Sequence, residues 1–249
     1  MSATTIMNSE FKQTNKMEEK KVLEPCNISE IYNLDVEKLK KSLSEDYLTP
    51  GRQKFYKSTA SKNLNLEDSF MEWIVSESMG GERIGEGHYP IDIVKDNIGI
   101  DVFCLCLSSK YTNEKSVMQN FAECGNNLDV LFDQEKKQDA IDLYKKRYYN
   151  KLNKAINDHN LTKLFYLGFI STDKSIYLSV FKINLDAILK IQENGMSRQK
   201  KSINFINFID PKLGKTKCYK SKKRMEIRFS KDLLTYDNTV EIYNLDNTI

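Results

Sequence analysis

The sequence predicts an α/β protein: a three-layer α/β/α sandwich around a mixed central sheet, with a basic β-rich extension at its C-terminal end. Three observations predict it. Apolar residues switch between a period near 3.6 and a period of 2 in the order helix, strand, strand, helix, strand, strand, helix, which a sheet covered by helices requires. Residues 164–171 and 176–183 are rich in aromatic and β-branched side chains and are joined by Thr172-Asp173-Lys174-Ser175, a hairpin signature. Finally, 249 residues with 40% hydrophobic content can bury one substantial core plus an appended piece.

Residues 1–25 are polar, rich in Lys and Glu and without period, and read as a disordered arm. The core is expected over 26–195. It opens with Ile28, Ile31, Leu34, Leu39 and Leu43, the spacing of one or two short helices, with Asp35 placed to cap the second. Pro50-Gly51 is a break. Leu66, Phe70, Trp73 and Ile74 then form a helical stripe within 54–79, and a Gly- and Glu-rich connector over 80–87 delivers the chain to two strands. Beyond them, Thr112 or Asn113 caps a helix carrying Val117, Phe121, Leu128 and Phe132, interrupted at 124–127. A longer helix over 139–157 sets Ile141, Tyr144, Tyr148, Leu152 and Ile156 on one face. Its other side carries Lys145, Lys146, Arg147, Lys151 and Lys154, and such faces are ordinarily just solvated. After the hairpin, 185–192 reads as a further short helix.

The organising stretch is 86–115, read as strands 88–95 and 99–108 around an Asp96-Asn97 turn. Side chains alternate faces along a strand, so Pro90, Asp92 and Val94 share one face of the first, and Asp101, Phe103 and Leu105 one face of the second. Each strand thus offers one carboxylate among Ile, Val, Leu, Phe and Cys. An unpaired charge there is costly unless a cation or a proton meets it, so two converging carboxylates point to a divalent metal site. For either Asp alone, the ordinary alternative is a strand-end carboxylate facing water. In the preceding helix the wheel places Glu67 at the flank of the stripe beside Ile74, ahead of Glu77, while Glu72 points to the far side.

A helix carrying Glu, then Pro90-Ile91-Asp92 in one strand, then Gly99-Ile100-Asp101 opening the next, resembles the PD-(D/E)xK nuclease superfamily, type II restriction endonucleases in particular, over residues 66–182. The resemblance implies a restriction-endonuclease-like core and a Mg²⁺-dependent endodeoxyribonuclease that cleaves double-stranded DNA at a specific sequence. It assigns Asp92, Asp101 and Glu67 to the metal and asks for a Lys two positions after Asp101. That position is Phe103. Either a displaced cation, Lys115 or Lys110, takes the role, or the chain is a catalytically inactive DNA-binding protein of the same fold. The family also implies a homodimer and a cognate DNA methyltransferase. An RNA-directed nuclease or RNA-binding protein is a third reading, and His88 is either a proton-transfer or phosphate contact or a plain strand-edge residue.

The net charge of +3 is small, so clustering matters more than the total. Basic residues gather between Met196 and Arg228, and Lys200, Lys201, Lys217, Lys220, Lys222, Lys223 and Arg224 are the expected DNA contacts, with Phe205, Phe208 and Tyr219 among them. Met225, Ile227 and Phe229 alternate with Arg224, Glu226 and Arg228, a strand with one packed and one charged face. Five Cys without a paired C-x-x-C and His spacing argue against zinc and for a reducing compartment, with Cys104 and Cys106 as small packed side chains. With no apolar run long enough for a bilayer and no apolar leader, a cytoplasmic protein without membrane partners is expected. Only two His and no Walker-type Gly loop leave no Ser/His/Asp triad and no nucleotide loop to argue.

Overall fold

The computed structural model describes residues 20–48, 66–84, 89–107, 113–120, 125–221 and 223–247, with backbone alone for 113–120, 125–126 and 247. Strand β1 (Leu23–Cys26) leads into helix α1 (Val36–Ser42), which starts where Asp35 accepts the Lys38 N–H at 2.9 Å, the expected cap. Helix α2 (Asp68–Met79) buries Met71, Ile74, Val75, Ser78 and Met79 and stops at Gly80, whose φ of 61° supplies the left-handed turn that ends it. Of the expected stripe Leu66, Phe70, Trp73 and Ile74, Ile74 is buried and Leu66 and Phe70 pack against the core, while Trp73 is 37% exposed. The chain then forms β2 (Glu82–Arg83), β3 (Ile93–Lys95) and β4 (Ile98–Cys106), turning between the last two at Asp96, with φ 52°.

The expected helix after Thr112 is instead strand β5 (Asn113–Asn120), followed by helix α3 (Gly125–Asp133). Strand β5 pairs with a strand more than a hundred residues later, and that pairing overrides the local helical spacing. Helix α4 (Lys137–His159) and the hairpin β6 (Lys163–Ser171) and β7 (Ser175–Ile183) fall where the sequence places them. The expected helix at 185–192 is shortened to α5 (Leu185–Ile188), because Gln192 already opens β8 (Gln192–Met196). Strands β9 (Ser202–Ile206), β10 (Gly214–Tyr219), β11 (Arg224–Ser230) and β12 (Thr239–Asn244) complete the described chain.

The structure is mixed α/β, with a seven-stranded sheet of mixed orientation and a second sheet of five strands among the described residues. In the first, the order is β1-β7-β6-β4-β3-β2, with β12 also on β7; β4 and β6 run parallel and the other neighbours antiparallel. The second runs β5-β11-β10-β9-β8. Because β5 comes from before residue 195 and β12 returns to the first sheet, the expected boundary at 195/196 does not separate the two sheets. One face of the first sheet packs Ile98, Ile100, Val102 and Phe165 against Met71, Ile74 and Val75 of α2. Its other face packs Phe103, Tyr166 and Phe181 with Tyr144, Tyr148 and Leu152 of α4 and with Ile227 and Phe229 of the second sheet. Each large apolar side chain so buried contributes about 1.5–3 kcal/mol relative to exposure.

Candidate metal centre

Asp92 stands immediately before β3, and three backbone and side-chain hydrogen bonds fix it. Its N–H donates to the Ile100 carbonyl at 2.9 Å, its carbonyl accepts the Ile84 N–H at 2.8 Å, and its Oδ2 accepts the Val102 N–H at 2.7 Å. The carboxylate is therefore clamped along β4, whose Asp101 comes from the adjoining position. The two carboxyl groups meet: Asp101 donates a hydrogen bond to Asp92. This convergence is the geometry the paired-strand reading requires.

Electrostatics favour a proton on the pair. Burial raises the Asp92 carboxyl to about 6, opposed by the Val102 N–H and reinforced by the negative charge of Glu72. Asp101 is driven well above the usual carboxylate range, first by burial and then by Asp92, with Glu72 and Asp68 adding to it. Glu72 and Asp68 of α2 thus add negative charge near a half-buried acid pair. The Cys104 thiol is held upward by burial and by Asp68, to which it hydrogen-bonds, so it is a packed, protonated side chain and not a thiolate ligand. On the α4 side, Tyr148 is 2% exposed, its hydroxyl has no hydrogen-bond partner among the described residues, and the Asp101 charge adds to burial in raising its pKa.

The helix acid is not the expected one. Glu67 precedes the first helical residue with an extended ψ of 121°, so it does not lie on the helical wheel at all; it is exposed and only its backbone is engaged, donating to the Tyr47 hydroxyl at 2.9 Å. Glu77 is exposed too. Asp68 and Glu72, one helical turn apart, are the α2 acids whose charge reaches the pair, and Glu72 is ion-paired with Arg83 at 3.0 Å. The sign that could have found Glu72 was the burial of Met71 and Val75 beside it, masked by the large apolar Trp73, which the fold leaves out.

No lysine replaces the missing one on β4. Phe103 is 5% exposed and its ring stacks on Tyr166 at 4.1 Å and on Phe229 at 5.3 Å. Lys115 lies in β5 at the register position opposite Arg228, not at a helix start, and Lys110 and His88 fall outside the described residues, as does Lys222. Of the expected DNA contacts, Lys200 pairs with Glu135 at 2.5 Å, Lys220 with Asp133, Lys223 with Asp129 and Arg224 with Glu226. Lys201 is exposed, and Lys217 half-buried.

Hard carboxylate oxygens suit Mg²⁺, which takes one or two carboxylates and fills its remaining positions with water and phosphate oxygens. Asp92 and Asp101 fit that role, and a divalent ion would replace the proton they now share. Among the described residues no group of three or more His, Cys, Asp and Glu side chains is gathered closely enough to hold a metal, so the fit is to a two-carboxylate site. No helix of the described residues is long and apolar enough to cross a membrane. No family model, no curated protein and no solved structure matches the chain.

Proposed function

We propose that the protein is a Mg²⁺-dependent endodeoxyribonuclease acting on double-stranded DNA, similar to type II restriction enzymes of the PD-(D/E)xK kind. The observation that carries this reading is the direct contact of the half-buried Asp92 and Asp101 carboxyls, both of which feel the charge of Glu72 and Asp68 on α2. A bound Mg²⁺ would supply a water of lowered pKa and a positive charge opposite the phosphate oxygens. Asp92 and Asp101 would hold it. Val102 N–H keeps Asp92 oriented, and loss of the proton from Asp101 frees its second oxygen. Arg83 ion-pairs with Glu72 at 3.0 Å and so fixes one of the two α2 acids whose charge reaches the pair. The restriction-endonuclease-like sandwich, a homodimer that could cut both strands, and a partner methyltransferase belong to the same proposal.

Phe103 favours a second reading. A packed ring in place of the family's lysine is what a DNA-binding protein of this fold that has lost hydrolysis would show. Plasmid cleavage in Mg²⁺ separates the two. Cutting by the parent chain that drops by about 1000-fold or more in Asp92→Ala and in Asp101→Ala is the expected outcome, the scale at which single catalytic groups are felt. Equal cutting in both variants sinks the site, and duplex binding without any cutting by the parent chain favours the second reading.

A further inference from the structure

Strands β10 and β11 turn Thr216, Cys218, Met225, Ile227 and Phe229 toward the core, so their alternate residues share the other face of the second sheet, where Lys215 and Arg228 are exposed, Lys217 is half-buried and Glu226 is buried. On that face Lys215 stands opposite Arg228, and Lys217 opposite Glu226. Lys115 of β5 holds the register position on the other side of Arg228, so basic residues occupy adjoining positions on three consecutive strands. Like charges directly opposite one another destabilise a sheet. Lys217, diagonal to that pair, has its ammonium held below its usual range first by partial burial and then by the charges of Arg228 and Lys215, with Glu226 the weaker opposing influence.

The rest of the basic segment behaves differently. Lys200, Lys220 and Lys223 are met by acids at 129–135, and Arg224 by Glu226. Among the described residues, none of Lys215, Lys217 and Arg228 stands in an ion pair, and Lys215 and Arg228 are exposed. Arg228 also donates from its Nη2 to the Tyr219 hydroxyl at 3.1 Å, which orients the guanidinium over the face. Cations that are crowded together, while neighbouring cations are neutralised within the chain, match a partner with regularly repeated negative charge. Along a strand such positions recur about every 6.8 Å and across strands about every 4.8 Å.

We propose that Lys215, Lys217 and Arg228, with Tyr219 beside them, form a surface that seats the phosphate backbone of duplex DNA without regard to sequence. The inference rests on the DNA-directed reading above and goes beyond it by moving the contact away from Lys200, Lys220, Lys223 and Arg224. Backbone contacts of this kind position a duplex and make its binding salt-dependent, because each neutralised phosphate releases counterions.

The test is fluorescence anisotropy of a labelled duplex with the full chain in EDTA, across a salt series, so that no cutting interferes. Lys215→Gln, Lys217→Gln and Arg228→Gln should each lower the slope of log K against log[salt] by about 0.9, and the triple change should weaken binding at least about 10-fold at about 0.15 M salt. Lys200→Gln and Lys223→Gln should leave both unchanged. Lys215→Gln alone, at an exposed position, keeps the test valid should the triple variant not fold. Parental affinity and slope in the three variants overturn the surface, as does equal loss in the two controls or tighter binding to anionic vesicles than to duplex. The two proposals fail separately: duplex that the parent chain seats but does not cut in Mg²⁺ counts against the nuclease alone, and normal cutting with unaltered affinity in the triple variant counts against the surface alone.

Discussion

In the metal-free protein Asp92 and Asp101 retain a proton, because burial and their mutual proximity raise both carboxyls. Stability is linked to that proton. A carboxyl whose pKa is higher in the folded than in the unfolded chain binds more protons in the native state, so its contribution is full below the unfolded value near 3.8 and is lost as pH rises through its folded value, about 6 for Asp92 and likewise well above the ordinary carboxylate range for Asp101. Each carboxyl adds a slope of up to about 1.4 kcal/mol per pH unit while the interval lasts. The urea midpoint of the metal-free protein should therefore fall as pH rises from about 4 to about 7, and Asp101→Asn should flatten that fall. Mg²⁺ competes with the proton, so it should raise the midpoint more at about pH 8 than at about pH 5. A variant profile superimposable on the parent's would mean that the two carboxyls do not sense each other.

Strand β4 carries the site on one residue and closes the core on the next residue of the same face, which decides what a substitution at Phe103 can do. Its ring lies over Gly168, its register partner on β6, where an added Cβ would come within 2.2 Å of the ring, so the glycine is there to admit the aromatic. Phe103→Lys restores the family's motif on paper but replaces a stacked ring with a buried ammonium facing Tyr166 and Phe229. It should cost about 3–5 kcal/mol in urea unfolding and confer no cleavage; a stable, more active variant would show that the site reaches further along β4 than its packing allows. The same elements show how far the sequence was legible. Helix α4 and the β6–β7 hairpin were readable because a long stripe and a clean alternation are local signals. Asp92 and Asp101 were readable because an acid inside an apolar strand is conspicuous. Strand β5 was not, since Val117 and its neighbours take their conformation from β11, far away in sequence. Nor was Glu72, because the large apolar Trp73, exposed in the fold, drew the expected stripe to its own side, and the start of α2 at Asp68 leaves Glu67 off the helix. The acids that neutralise Lys200, Lys220 and Lys223 lie at 129–135, some seventy to ninety residues earlier, a pairing that no local pattern announces.

At the scale of the whole molecule, segments far apart in the chain close one edge. Strand β7 pairs along one side with β6, and along the other with β12 over Ser175–Ser179 and with β1 over Val180–Ile183, so strands from both ends of the described chain lie end to end on the same strand. The β1 end also joins the two sheets, since Val22 and Leu23 N–H groups donate to the Asn207 and Phe208 carbonyls at 3.3 and 2.8 Å. The edge exposed without β12 would be apolar and uncharged: Ser175, Ile176, Tyr177, Leu178 and Ser179, with Ile176 and Leu178 in the core. Strand β12 covers it and presents Glu241, exposed, a charge that discourages pairing with another chain. A chain stopped after Asn238 gives up the buried Ile242 and Tyr243 and the ladder on β7. Its urea midpoint should drop by the equivalent of about 3 kcal/mol or more, and light scattering on heating should begin earlier, because an uncovered strand edge recruits others. Asp92, just before β3, and Asp101, in β4, are separated from β7 and its β12 partner by β6, so Mg²⁺ should still protect whatever fraction of the shortened chain remains folded. An unchanged midpoint would show that β7 tolerates an open edge and that the closing strand serves something other than stability.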